Sequence, residues 1–132
     1  MNQIKASVTE IQSVDNLNIV TFKANNHMLK MMSLDLSGEL VVDTNVSLSF
    51  KPTTVAIAKN ISGDLSFSNQ LQVKIISMEV GQLLSSLKLG FDEYTLESII
   101  TTASVKRMNL KVGESVIALI KSSDLSIGSV LL

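Results

Sequence analysis

Apolar and polar residues alternate along much of the chain. Ile4, Ala6 and Val8 take every second position, as do Val46, Leu48 and Phe50, then Leu71, Val73 and Ile75, then Val116, Ala118 and Ile120. A period of two turns one face of an extended segment to a core and the other to water, so each run predicts a half-buried β-strand. Further strands are expected around NIVTFKA and HMLKMM, and around LSSLKLGF and YTLESII. Only SVKRMNL, residues 104–110, reads as a helical turn, with Ser104 or Thr102 as its N-cap and Gly113 closing the connection that follows.

The pattern occurs twice. NQIKASVTEI at 2–11 is answered by NQLQVKIISM at 69–78, an offset of 67, and VSLSFKPTTVAIA at 46–58 by VIALIKSSDLSIG at 116–128, an offset of 70. The second copy therefore holds three extra residues between the matched blocks, around ASVKRMNLKVGE. Turn residues in KNISGDLS, 59–66, mark the join. The expected organisation is one repeat over 1–61 and another over 66–132, with about five strands in each. Short strands, one helical turn and tight linkers suggest an all-β chain of two tandem OB-like five-stranded barrels. A unit of about 65 residues has a marginal core, so the copies should pack on each other or on further subunits.

Composition narrows the functional classes. With 45% apolar and 17% charged residues, the 132-residue chain reads as folded and soluble. A net charge of −1 gives no draw toward nucleic acid, and Phe22, Phe50, Phe67, Phe91 and Tyr94 are too few and too strand-embedded for base stacking. There is no cysteine, so disulfides, thiolate metal sites and a cysteine nucleophile are excluded. Lys5, Glu10 and Asp15 break any signal-peptide pattern, and no window reaches the length of a membrane span, which makes the cytoplasm the expected location and a membrane an unexpected partner. The single histidine, His27, has no G-x-S-x-G serine motif near it, and no P-loop is present. No catalytic residue is nominated. His27 with Met28, Met31 and Met32 reads as core filling rather than a metal site, and Asp92-Glu93 beside Gly90 as a solvated hairpin turn.

The candidate chemistry lies in ITTASVKRMNLKVGESVIALIKSSDL, 100–125. Thr101, Thr102, Ser104, Lys121, Ser122 and Ser123 bring hydroxyls and an ammonium around a strand end and a helical turn, and Glu114 is the only acid between Thr101 and Ser123. A deprotonated tetrahedral oxyanion only accepts hydrogen bonds, so donors attract it and carboxylates repel it. Local chemistry alone fits a capped turn and a solvated lysine better.

The order and spacing of these residues change that balance. LSFSNQLQVKIISME followed by IITTASVKRMNLKVGESVIALIKSSDLSI resembles the Mop domain, the molybdenum-pterin-binding module also called TOBE or molbindin, and two tandem copies resemble a di-Mop molbindin. Ile100, Thr101 and Ser104 match the family's Ile-Thr-x-x-Ser element, Gly113 its turn glycine, and Lys121, Ser122 and Ser123 its terminal lysine-hydroxyl element. Ser66, Ser68 and Asn69 fall on the family's Ser-Ala-Arg-Asn-like opening, with Ser68 in place of the arginine. In the first copy Asn2, Ser33 and Lys51 align, while the Ile-Thr-x-x-Ser element is replaced by MSLDL with Asp35 inside it.

The resemblance implies an oxyanion site built from Thr101, Ser104, Lys121, Ser122, Ser123, Ser66, Ser68, Asn69 and Lys51. It would take molybdate or tungstate at subunit interfaces, with metal bound only as the oxyanion, in a homo-oligomer for which a trimer is favoured over a dimer. Storage, buffering or homeostasis of the oxyanion is the function this implies. The first copy is expected to bind less well or to serve structurally. Two other readings stay open: a non-enzymatic structural or interaction module with a degenerate site, and a stand-alone ligand-sensing partner of a molybdate-responsive regulator.

Overall fold

The structure, a computed structural model, describes residues 1–132. The alternating runs form strands as expected: β1 (Asn2–Val14), β2 (Leu17–Ala24), β3 (His27–Ser33), β4 (Asn45–Phe50) and β5 (Ala56–Ala58), then β6 (Asn69–Val80), β7 (Leu84–Phe91), β8 (Tyr94–Thr101), β9 (Ser115–Ile120) and β10 (Ser126–Leu131). The fold is all-β, with two curled five-stranded sheets and a single α-helix, α1 (Thr102–Arg107). No helix is long and apolar enough to cross a membrane.

Local geometry repeats at the offsets seen in the sequence. A bulge follows Val8 in β1 and Ile75 in β6. Val8 N–H donates to Thr44 O and Val8 O accepts from Asp43 N–H, and Ile75 makes the same pair of bonds with Glu114 and Gly113. Asp43 (φ 74°) occupies the left-handed position that Gly113 (φ 93°) fills in the second copy. The alternation is strict where a strand covers the core: Ile4, Val8, Leu71 and Ile75 are at most 1% exposed, while Gln3, Lys5, Gln70 and Gln72 face water.

The sheets do not follow the repeats. One has the order β10-β4-β1-β2-β3 and the other β5-β9-β6-β7-β8, so each takes four strands from one repeat and its fifth from the other. β5 runs antiparallel to β9 and β10 antiparallel to β4. The hydrophobic core is likewise one cluster of 26 buried residues from both repeats. At about 65 residues each, the repeats share a core instead of closing two small ones.

The helix begins earlier than the sequence suggests. Thr101, not Ser104 or Thr102, is the N-cap, and its hydroxyl accepts from Ser104 N–H. Thr102 is drawn into the first turn because its hydroxyl donates to Gly81 O and pairs with Ser85 Oγ, while its N–H donates to Leu83 O. Asn109 (φ 51°) ends the helix: Leu110 N–H reaches Val105 O and Asn109 N–H reaches Lys106 O, a Schellman arrangement with asparagine in the left-handed position. Lys59, from the first repeat, donates to the carbonyls of Met108 and Asn109 and pairs with Glu114 at 2.9 Å. A cation at a helix C-terminus satisfies open carbonyls and opposes the helix dipole.

Candidate functional site

The proposed oxyanion residues fall into groups set by the strand register. In the first group Thr101 Oγ1 donates to Ser104 Oγ at 2.9 Å, and the Arg107 guanidinium donates to the same oxygen at 3.2 Å. Ser104 Oγ thus accepts twice while no bond uses its own proton, which remains available for a ligand. Arg107 is exposed and forms no ion pair with any carboxylate.

Lys121 heads the second group. It is exposed and caps a 3-10 turn, Ser122–Asp124, in which Asp124 N–H donates to Lys121 O. Asn69 lies opposite Ile120 in the β6–β9 ladder, so the antiparallel register sets Ser68 beside Lys121, with Ser66 two residues upstream. Ser122 is half-buried, and Ser66, Ser68 and Ser123 are exposed. Asn69 differs from its neighbours, because it is fully buried and its amide is committed to the backbone of Lys30.

One chain keeps these two groups apart. Thr101 is level with Leu84, past the Val80 end of β6, whereas Lys121 is level with Ser68 at the Asn69 end. The 12 residues of β6 lie between, about 40 Å of chain at ~3.3 Å per residue. The turn that does pack on β8 is the one led by Lys51, Pro52–Thr54, whose following residue Val55 accepts from Ser98 Oγ at 2.7 Å. The turn led by Lys121 packs on β3, where Leu34 and Asp35 follow in place of Thr101 and Thr102. A cavity of about 650 Å³ lies there, lined by Met31, Leu34, Asp35, Leu40, Ser123 and Leu125 among others.

Other sequence candidates resolve simply. His27 packs against Phe91 at a tilt of 50°, with ring centroids 4.7 Å apart, and its Nε2 lies 3.3 Å from Asp92. Met31 is in the core, but Met28 and Met32 are exposed, so core filling holds for one methionine of the three. Asp92 and Glu93 form the expected hairpin turn, and both accept from Asn25 in the corresponding turn of the first repeat. Glu97 sits below the ordinary carboxylate range because the Ser86 hydroxyl and the Lys88 ammonium both donate to it. Arg107 was not among the sequence candidates. Its one signal was that it is the only arginine in the chain.

Known proteins resemble this chain in sequence and in fold. The TOBE domain model matches residues 65–127, from just before the Ser66–Asn69 opening to just past the turn led by Lys121. A probable molybdenum-pterin-binding protein of Haemophilus influenzae is 32% identical over 65 residues, which is 48% of this chain and 94% of that protein. The chain belongs to the TOBE-domain family. The cytoplasmic molybdate-binding protein ModG, in a crystal structure with molybdate bound, superposes with a TM-score of 0.90 over 97% of this chain and 95% of that one, at 22% identity. The likeness to ModG shows that the OB-like fold extends over both sheets of this TOBE protein. The family match itself lies in the second repeat.

Proposed function

We propose that this TOBE protein is a cytoplasmic, non-enzymatic binder of a tetrahedral oxyanion, molybdate or tungstate, acting in its storage, buffering or homeostasis. The observation that carries the reading is the donor cluster of Thr101, Ser104 and Arg107, in which Ser104 keeps a free proton and Arg107 pairs with no carboxylate. Such a set favours a species that only accepts hydrogen bonds. The relatives support the same ligand class, one being named for molybdenum-pterin and the other holding molybdate. On this reading residues 1–61 and 66–132 are tandem Mop-type repeats.

Because Thr101 and Ser104 lie at the opposite end of β6 from Lys121, Ser122, Ser123, Ser66 and Ser68, a complete site forms where two copies meet end to end. The protein is then a homo-oligomer, with a trimer favoured over a dimer, and Lys51 leads the turn that packs on β8, the strand that ends at Thr101. A second reading, an interaction module with a decayed site, draws on Leu34 and Asp35 beside the turn led by Lys121.

Calorimetric titration with molybdate, tungstate, sulfate and phosphate tests the proposal. The larger dianions are expected to bind and phosphate to be refused. Silence with all four overturns the oxyanion reading and leaves the interaction module, and a monomer that binds normally overturns the interface.

A further inference from the structure

Two buried asparagines occupy corresponding places, Asn2 at the head of β1 and Asn69 at the head of β6. Asn2 Nδ2 donates to Glu97 O at 2.8 Å, and its Oδ1 accepts from Glu97 N–H at 2.8 Å. Asn69 does the same to Lys30, donating at 2.9 Å and accepting at 2.7 Å. Lys30 and Glu97 are themselves separated by the repeat offset of 67. They lie on β3 and β8, which are the outer strands of their sheets. Each side-chain amide therefore acts as one extra rung of a β-ladder, satisfying an edge backbone pair that would otherwise be open.

The position of each clamp matters for function. Asn69 is opposite Ile120, the residue before Lys121, and Asn2 is opposite Phe50, the residue before Lys51. Each clamp thus fastens the root of a lysine-led turn to the outer strand of the other sheet. Asn69 is fully buried and Asn2 is 5% exposed, and an amide whose oxygen and nitrogen both bond backbone in such a place is turned away from an anion outside.

We infer that Asn69 and Asn2 are positioning residues, not ligands: they hold Lys121 and Lys51 at the places where the oxyanion is bound, an inference that rests on the reading under Proposed function. Asn69 acts through Lys121 and Asn2 through Lys51. Losing a clamp frees an edge strand and lets its lysine turn move, while the lysine itself remains.

The test is a double-mutant cycle on the full chain with molybdate as titrant, run with amide exchange at Lys30 and Glu97. Asn69→Ala is expected to raise Lys30 N–H exchange and weaken binding about 10-fold or more, with Lys121→Ala weaker still. The double variant should bind within about 2-fold of Lys121→Ala alone, since a residue that acts through another adds nothing once that other is gone. Losses that multiply, or an Asn69→Ala protein that binds like the wild type, overturn the inference while the oxyanion reading stands. A wild type that binds nothing sinks that reading and this one together. Should Asn69→Ala fail to fold, the same cycle on Asn2→Ala and Lys51→Ala decides by the same criteria.

Discussion

Residues 34–43 and 101–113 occupy equivalent places between equivalent strands, yet only the second forms a helix. At the offset of 67, Leu34 replaces the capping Thr101, Asp35 the anchoring Thr102, and Gly38 the buried Val105. The three residues missing from the first copy align with Arg107, Met108 and Asn109, which contain the left-handed stop. Lys59, which binds the helix carbonyls, corresponds to Ser129 in the other direction. The first segment thus lacks the start, the buried contact, the stop and the external cation. Leu40 and Leu110, both 5% exposed, are the core leucine that the two segments have in common. The rest was free to diverge, and donor chemistry diverged with it.

The sharpest way to break this contrast is to remove the lysines in turn. Lys121→Ala is expected to weaken molybdate binding about 30-fold or more, since a charge-assisted contact to a dianion is worth ~2 kcal/mol or above. Lys51→Ala should cost less, and Asp35→Asn, which removes a like charge beside the turn led by Lys121, should strengthen binding a few-fold. Equal losses for the two lysines in calorimetry would show the repeats to be functionally equivalent.

Stability offers a smaller contrast. Val105→Ala should cost about 1.5 kcal/mol in denaturant unfolding, because Val105 is on the buried face of α1, in the core. Gly38→Ala should be neutral or slightly stabilising: a Cβ there meets nothing within 4 Å, and the unfolded chain loses freedom. A large loss at Gly38 would mean that its segment is as tightly built as α1.

The smallest effect concerns acid. Glu97 has a folded pKa below its unfolded value, so its contribution is present above the ordinary carboxylate range and fades as pH falls through the folded pKa. Glu97→Gln should flatten the acid limb of the stability curve slightly. Lys30, its counterpart in the first repeat, has no such partner, and Lys30→Gln should leave that limb unchanged.

Strand positions were legible because a half-buried sheet writes a period of two into the sequence, and the proposed site residues Thr101, Ser104 and Lys121 were nominated by their resemblance to a family spacing. The exchange of β5 and β10 was not, since AIA and SIGSVL pair equally well in principle with either sheet. The separation of Thr101 from Lys121 was hidden for a related reason: residues 20 apart in sequence sit at opposite ends of β6, and proximity along a chain says nothing about ladder register. Asn69 enters the proposed ligand set only through its place in the family's opening element. Only the backbone of Lys30, 39 residues away, shows where its amide is spent.

The exchanged fifth strands also change what the linker at 59–66 is for. A single repeat on its own would expose the β4 or β9 edge that its neighbour now covers, and would have to borrow a strand from a second molecule. Joined in one chain, the two lend strands to each other at the high effective concentration a short tether provides. The linker is in effect a leash on a covalent dimer: a protease that cut it would leave two fragments held together only by the exchanged strands, and their association would then depend on concentration.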